Sequence, residues 1–400
     1  MKITGIDTIT LADVPWLIFV RVRGEDGIVG YGDTYYASEA LRSYIHAWMA
    51  PRLLGRDALQ IERIWSAFYD RDAARWGGLG LEMRALSAID VALWDILGQV
   101  AGLPIYQLLG GACRDRVRVY NTCGGPLYGR PGAGQSGSAA ALKSGEDALD
   151  DLQAFLTDAG RLAESLLAEG IRAMKIWPLD RFALANEGHW ITADELGKGL
   201  EPLARIRRAV GDDMEIMLEG HGYWDLPTAV RIARAAEEFR PAWLEDMILA
   251  HDISALRRLR ESTVIPILAS EYLITKRQFR PLLEQEAADI VMLDPTWTGG
   301  ITESRKIAAL ADTYSLPVTM HDCTGPFTLL AGIHLAFSNP NAIYQEVVRA
   351  YLRTWYRDCI TEQPRLEDGH LLPPIGAGIG SALLPDLLER PGVTVVSSDA

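Results

Sequence analysis

From residue 215 to residue 271 the chain reads EIMLEGHGYWDLPTAVRIARAAEEFRPAWLEDMILAHDISALRRLRESTVIPILASE. Three short apolar runs lie in this stretch, and each closes on a glutamate: Glu219, Glu245 and Glu271. Successive glutamates are 26 residues apart. That interval holds one strand and one helix, the repeat of a (β/α) unit. Side chains alternate across a strand, and a strand buried on both faces wants Val or Ile throughout. A carboxylate at the end of three consecutive runs is therefore a feature of a site.

Working outward, similar runs lie at 117–120, 173–177, 242–245, 265–271, 290–294, 317–321 and 343–346, separated by amphipathic stretches. With 215–219 they make eight, the count of a TIM-type (β/α) barrel. Upstream, residues 1–35 read as strands and residues 38 to about 110 as helices. In the latter, Ile89, Leu93, Leu97 and Val100 form one stripe. Strands followed by helices predict a separate α+β unit. The expected division is an N-terminal α+β capping domain over 1–115, a barrel over 116–360, and a tail over 361–400 that packs back on the capping domain. Two stretches, 124–145 and 178–199, interrupt the rhythm after the first and second barrel strands. Barrel enzymes keep their active-site loops at that end. The Gly- and Ser-rich first stretch predicts a lid over 125–145.

The whole chain sets limits on function. Its 400 residues suffice for two domains, and 48% apolar with 23% charged residues is a globular composition. A net charge of −14 argues against nucleic acid, whose phosphates require a basic face. It does not argue against a small anion, because a bound cation can invert the local field. No apolar run long enough for a membrane span is present, and no secretory leader opens the chain. Cys113, Cys123, Cys323 and Cys359 show no zinc spacing, so free thiols in a reducing cytoplasm are expected.

The chemistry is expected at the strand ends. Three converging carboxylates repel one another unless a cation neutralises them. Hard oxygen donors suit Mg²⁺, with Mn²⁺ as a substitute. Asp294 and His321 close the sixth and seventh runs, where a carboxylate beside an imidazole fixes its tautomer and raises its basicity. His221 follows Glu219 by two residues on the same face. Lys175 is the cation on the inward face of the second run, and Glu346 closes the eighth.

The series Lys175, Glu219, Glu245, Glu271, Asp294, His321, Glu346 resembles the mandelate racemase subgroup of the enolase superfamily, and within it the acid-sugar dehydratases of the D-galactonate type. Ser87-Ala88-Ile89-Asp90-Val91-Ala92-Leu93-Trp94-Asp95 and Leu108-Leu109-Gly110-Gly111 are similar to that family's capping-domain helix and its exit. The resemblance implies Glu219, Glu245 and Glu271 as metal ligands, His321 with Asp294 as the base, and Glu346 as an acid on the substrate carboxylate. It implies His221 as the group that protonates a departing hydroxyl, and an even-numbered homo-oligomer. Two positions depart from the pattern. The racemases carry a second lysine where this chain has Trp177, and the galactonate enzymes carry an arginine where it has Tyr223. The expected partner is a small carboxylate, and the expected reaction is dehydration of a sugar acid to a 2-keto-3-deoxy acid. An epimerase or cycloisomerase on the same fold is the alternative. A binding protein or a scaffold would have no use for two histidines and a carboxylate triad.

Overall fold

The computed structural model describes residues 1–76, 80–126, 128 and 150–400. The lid expected over 125–145 lies almost wholly outside the described residues.

The chain opens with β1 (Ile3–Leu11), β2 (Val14–Gly24) and β3 (Val29–Tyr35), an antiparallel meander. The last strand, β14 (Val393–Asp399), returns to pair antiparallel with β1, setting Ile6 opposite Ser398. A 21-residue helix, Leu81–Ala101, covers this sheet. The barrel follows as β4 (Val117–Thr122), β5 (Ala173–Ile176), β6 (Glu215–Glu219), β7 (Trp243–Glu245), β8 (Ile267–Ala269), β9 (Ile290–Leu293), β10 (Val318–Met320) and β11 (Ala342–Val347). Neighbours are all parallel, and β11 closes on β4 with Glu346 beside Tyr120. A short hairpin, β12 (Leu366–Glu367) and β13 (His370–Leu371), adds antiparallel to the outer end of β4. No helix among the described residues is long and apolar enough to cross a membrane.

The barrel interior is a small apolar plug of Tyr120, Ala173, Met217, Trp243, Leu268, Ile290, Met292 and Tyr344. With a period of two, the next inward residue after Ala173 is Lys175, after Met217 is Glu219, after Trp243 is Glu245, after Met292 is Asp294 and after Tyr344 is Glu346. One layer of bulky side chains thus forms the floor on which the polar residues stand. Glu271 breaks the parity: Leu268 points inward, which would send Glu271 outward on a continuing strand. The strand instead stops at Ala269, and Ser270 turns the chain by accepting from Tyr272 N at 3.1 Å and donating to Asp246 at 2.9 Å.

The capping helix buries polar residues for a reason visible in their partners. Ser87 Oγ accepts from Gly299 N at 3.0 Å, Asp90 accepts from Thr302 N at 3.0 Å, and Trp94 Nε1 donates to Thr302 Oγ1 at 2.8 Å. Ser87 and Asp90 supply acceptors at the start of the barrel helix Gly300–Thr313, whose first N–H groups have no partner within the helix, while Trp94 holds the Thr302 side chain. Gly300 has φ +78° and lies so close to Asp90 that a Cβ there would meet its carboxylate at 2.1 Å. Asp33, at the end of β3, does the same for the helix Pro326–Ser338, accepting from Phe327 N at 2.8 Å and from Thr328 N at 2.9 Å. Asp33→Ala is therefore expected to lower unfolding stability by roughly 1–2 kcal/mol, the scale of a lost helix cap. Urea melts would measure it, and an unchanged midpoint would show that this cap does not help hold the two domains together.

At the barrel seam, Arg349 clamps both oxygens of Asp151 at 2.7 Å each. Asn121 of β4 completes the clamp, donating to Asp151 at 2.9 Å and accepting from Arg349 N at 2.9 Å.

Candidate active site

The site residues rise from the C-terminal ends of the barrel strands. Lys175 is central and buried. Its ammonium lies 3.1 Å from Glu219 Oε2 and 3.0 Å from Glu346 Oε1, and it donates to Glu245 Oε1. Burial alone would depress its pKa, but Glu245 and Glu346 outweigh burial and hold the ammonium well above its ordinary value. Glu346 also accepts from Thr122 Oγ1 and, at 2.9 Å, from Asp322 N. Burial pushes Glu346 up, yet Lys175 and His321 prevail and leave it below the ordinary carboxyl range. Glu245 is carried well above that range by burial, even though Lys175 pulls it down.

Glu219 accepts from its own loop, from His221 N at 2.8 Å and Gly220 N at 3.2 Å. Glu271 stands on the far side of this group, beside the buried Asp246, and its Oε2 is a buried oxygen with no hydrogen-bond partner. Asp246 is held well above the ordinary carboxyl range by burial and by Glu271. An orphaned buried carboxylate oxygen is costly unless a ligand completes it. Three glutamates supplying hard oxygens, one of which has no hydrogen-bond donor, fit a divalent cation. The group among the described residues whose ligand atoms all lie within 4.8 Å of one another is a different one, His321, Cys323 and Glu346. It is the poorer receptor. Burial pushes the Cys323 thiol up to about 12, away from the thiolate a metal takes, and His321 is engaged by Asp294.

Two imidazoles flank the cluster, each backed by a buried carboxylate. His321 Nδ1 donates to Asp294 Oδ2 at 2.8 Å, which leaves Nε2 facing the cavity, 3.9 Å from Glu346. Asp294 is fixed in turn by Thr296 N at 2.7 Å and Thr324 Oγ1 at 2.9 Å. Burial lowers the His321 pKa, but Glu346 and Asp294 raise it well above the ordinary value. A base must be neutral, so His321 works as one only when further positive charge offsets those carboxylates. His221, at φ +48°, turns its Nδ1 onto Asp180 Oδ2 at 2.6 Å. Its Nε2 meets the Tyr128 hydroxyl at 2.8 Å, and Trp177 packs edge-on against its ring. Burial opposes protonation of His221, while Asp180 and Glu219 favour it and bring its pKa to about 9.

The structure brings Lys175, Glu219, Glu245 and Glu346 into direct contact, and pairs Asp294 with His321. His221 and Glu271 stand at the edges of that group. Sequence reading passed over Asp180, Tyr128, Asp246 and Thr122. Asp180 lies in the stretch 178–199, where no periodicity marks it, and only its buried position in the structure gives it away. Thr122 was legible: it is two residues past Tyr120, in the same parity as the other strand-end residues.

Comparisons with known proteins agree with this layout. The profile described as Enolase C-terminal domain-like matches residues 158–387, and that of the mandelate racemase / muconate lactonizing enzyme N-terminal domain matches residues 7–110. A D-mannonate dehydratase of Caulobacter vibrioides is 33% identical over 394 residues, 96% of this chain and 94% of the relative. A D-galactonate dehydratase of Ralstonia nicotianae is 30% identical, covering 95% of this chain and 91% of the relative. The crystal structure of an enolase of the mandelate racemase subgroup from Agrobacterium tumefaciens superposes with a TM-score of 0.87 at 40% identity, over 100% of this chain and 99% of that one. Members of the superfamily typically bind a divalent metal. With a closed parallel barrel, an antiparallel capping sheet and both profiles matched in order, the chain belongs to the mandelate racemase / muconate lactonizing enzyme family of the enolase superfamily.

Proposed function

We propose that the protein is a Mg²⁺-dependent dehydratase of a sugar acid. The observation that carries this reading is the pair of carboxylate-backed histidines beside one cluster of Lys175 and its glutamates. A proton beside a carboxylate is weakly acidic because its removal loads negative charge onto the carboxylate oxygens. Lys175 is placed to hold those oxygens, with Glu346 orienting its ammonium. Glu219, Glu245 and Glu271 would hold the Mg²⁺, which supplies electrostatic stabilisation of that charge when bound.

His321 takes the α-proton at Nε2, while Asp294 at Nδ1 keeps the ring in the required tautomer and steadies the imidazolium that results. His221 supplies a proton to the β-hydroxyl as the C–O bond breaks and water departs. Its Nε2 already points at a hydroxyl group, that of Tyr128, which marks a position where an oxygen is received. The resulting enol takes a proton at C3 and becomes a 2-keto-3-deoxy acid. The named relatives, among them dehydratases of D-gluconate, D-mannonate, D-galactonate and D-xylonate, support this chemistry. The same reading takes the enzyme as a cytoplasmic, even-numbered homo-oligomer, which sedimentation would check.

The test is a panel of aldonates and aldarates assayed for keto-acid formation with Mg²⁺ and with excess chelator. Keto acid from at least one acid, lost on chelation and restored by Mg²⁺, is expected. Isomers of unchanged mass would replace dehydration by epimerisation or cycloisomerisation, and activity indifferent to chelator would remove the metal from the reading.

A further inference from the structure

Arg84 belongs to the capping helix, yet its guanidinium reaches the barrel mouth. The guanidinium carbon lies 3.9 Å from the centre of the Trp297 ring, and Trp297 in turn packs 5.1 Å from His321. Tyr35 and Tyr36 flank it at 5.8 and 5.7 Å. Tyr272 closes the other side of Trp297, with ring centres 6.2 Å apart. The Arg84 side chain is half-buried, and its Nη1 donates to the Tyr35 carbonyl at 3.0 Å.

Among the described residues no carboxylate forms an ion pair with Arg84. Asp294, the first anion to act on it through space, is already engaged by His321, Thr296 and Thr324. Burial pulls the guanidinium below its usual pKa, and Asp294 with the neighbouring tyrosines offsets that only in part. Arginines in such settings are ordinarily paired, because desolvating a cation without a partner costs several kcal/mol per ion. Aromatic faces recover only part of that cost. The donors left over form a planar fork suited to a carboxylate or a phosphate.

We propose that Arg84 receives the far end of the substrate, and that this end carries a second oxyanion: a sugar diacid, or a sugar acid phosphorylated at its terminal carbon. The proposal rests on the dehydratase reading for which end reacts, and it narrows the substrate class. The relatives named above act on monoacids, so this chain would differ from them at the distal subsite.

Binding is read by calorimetry on the full Mg²⁺-loaded protein, without reference to turnover. The probes are hexarates, the hexonates of matched configuration, and 6-phosphogluconate. Diacids or the phosphate ester should bind at least about 30-fold tighter than the matching monoacids, the scale of a desolvated charge pair. Diacids leading would identify a distal carboxylate, and the phosphate ester leading a distal phosphate. Arg84→Met should erase most of that preference. Arg84→Lys, which keeps the charge and loses the fork, should retain part of it and guards against a variant that fails to fold. Monoacids that bind as tightly as their diacids, equal loss for both classes in Arg84→Met, or no binding of any terminal oxyanion would overturn the proposal. Diacid binding without keto acid would sink the dehydratase reading and leave Arg84 standing.

Discussion

Replacing His321 by asparagine is expected to abolish both dehydration and exchange of the substrate α-hydrogen with D₂O. The asparagine side chain still fits beside Asp294 but carries no group that can accept the α-proton. The loss should be about 10⁴-fold, the upper end of what one positioned acid–base group contributes. His221→Asn should behave differently in kind. Its imidazole is backed by Asp180, and its backbone N–H donates to Glu219, a partner of Lys175. Dehydration should fall by about 10²–10⁴-fold, while some α-exchange survives, because the proton can still be taken by His321. Mass or NMR detection of deuterium in recovered substrate separates the two. Exchange that persists in His321→Asn and vanishes in His221→Asn would reverse the assignment of base and acid.

Lys175→Met should be the most damaging change to the fold of the site. The ammonium contacts Glu219, Glu245 and Glu346, and all four side chains are buried. Removing one partner of a buried ion pair leaves a charge with nothing to offset it, and costs about 3–5 kcal/mol. Here three carboxylates lose the same partner. The deficit should be largest in chelator and shrink in saturating Mg²⁺, because ligand bound to the folded state stabilises it by mass action. Denaturant midpoints for wild type and variant under both conditions would show it. Midpoints that Mg²⁺ moves in neither protein would mean that the glutamates hold no cation, and with it the proposed ligand set would fall.

The difference between the two histidines explains why the site could be read only in part from the chain. His321 has its partner on the neighbouring strand, so strand order alone puts Asp294 beside it. His221 has its partner 41 residues upstream, at the start of the short helix Asp180–Ala185 in the connection between two strands. Its nearness follows from how that stretch folds over the barrel mouth.

The repeat of apolar runs closing on Glu219, Glu245 and Glu271 determined the barrel, because a period of one (β/α) unit admits few other folds. Strand parity likewise put Lys175, Glu346, Asp294 and His321 on one inward layer. Tertiary structure decided the rest. Glu271 reaches the group only because its strand stops at Ala269 and the chain turns at Ser270. Asp33, Ser87 and Asp90 look like helix or strand residues of the capping domain, and became joints between domains once the helix termini they satisfy were placed against them, with Trp94 bonded to the Thr302 side chain beside them. Arg84 reads as one more surface cation on an amphipathic helix. Its setting against Trp297, without a counter-ion among the described residues, depends on contacts 213 residues apart in sequence. Periodicity records which way a side chain faces within its own element, whereas long-range packing decides what it faces.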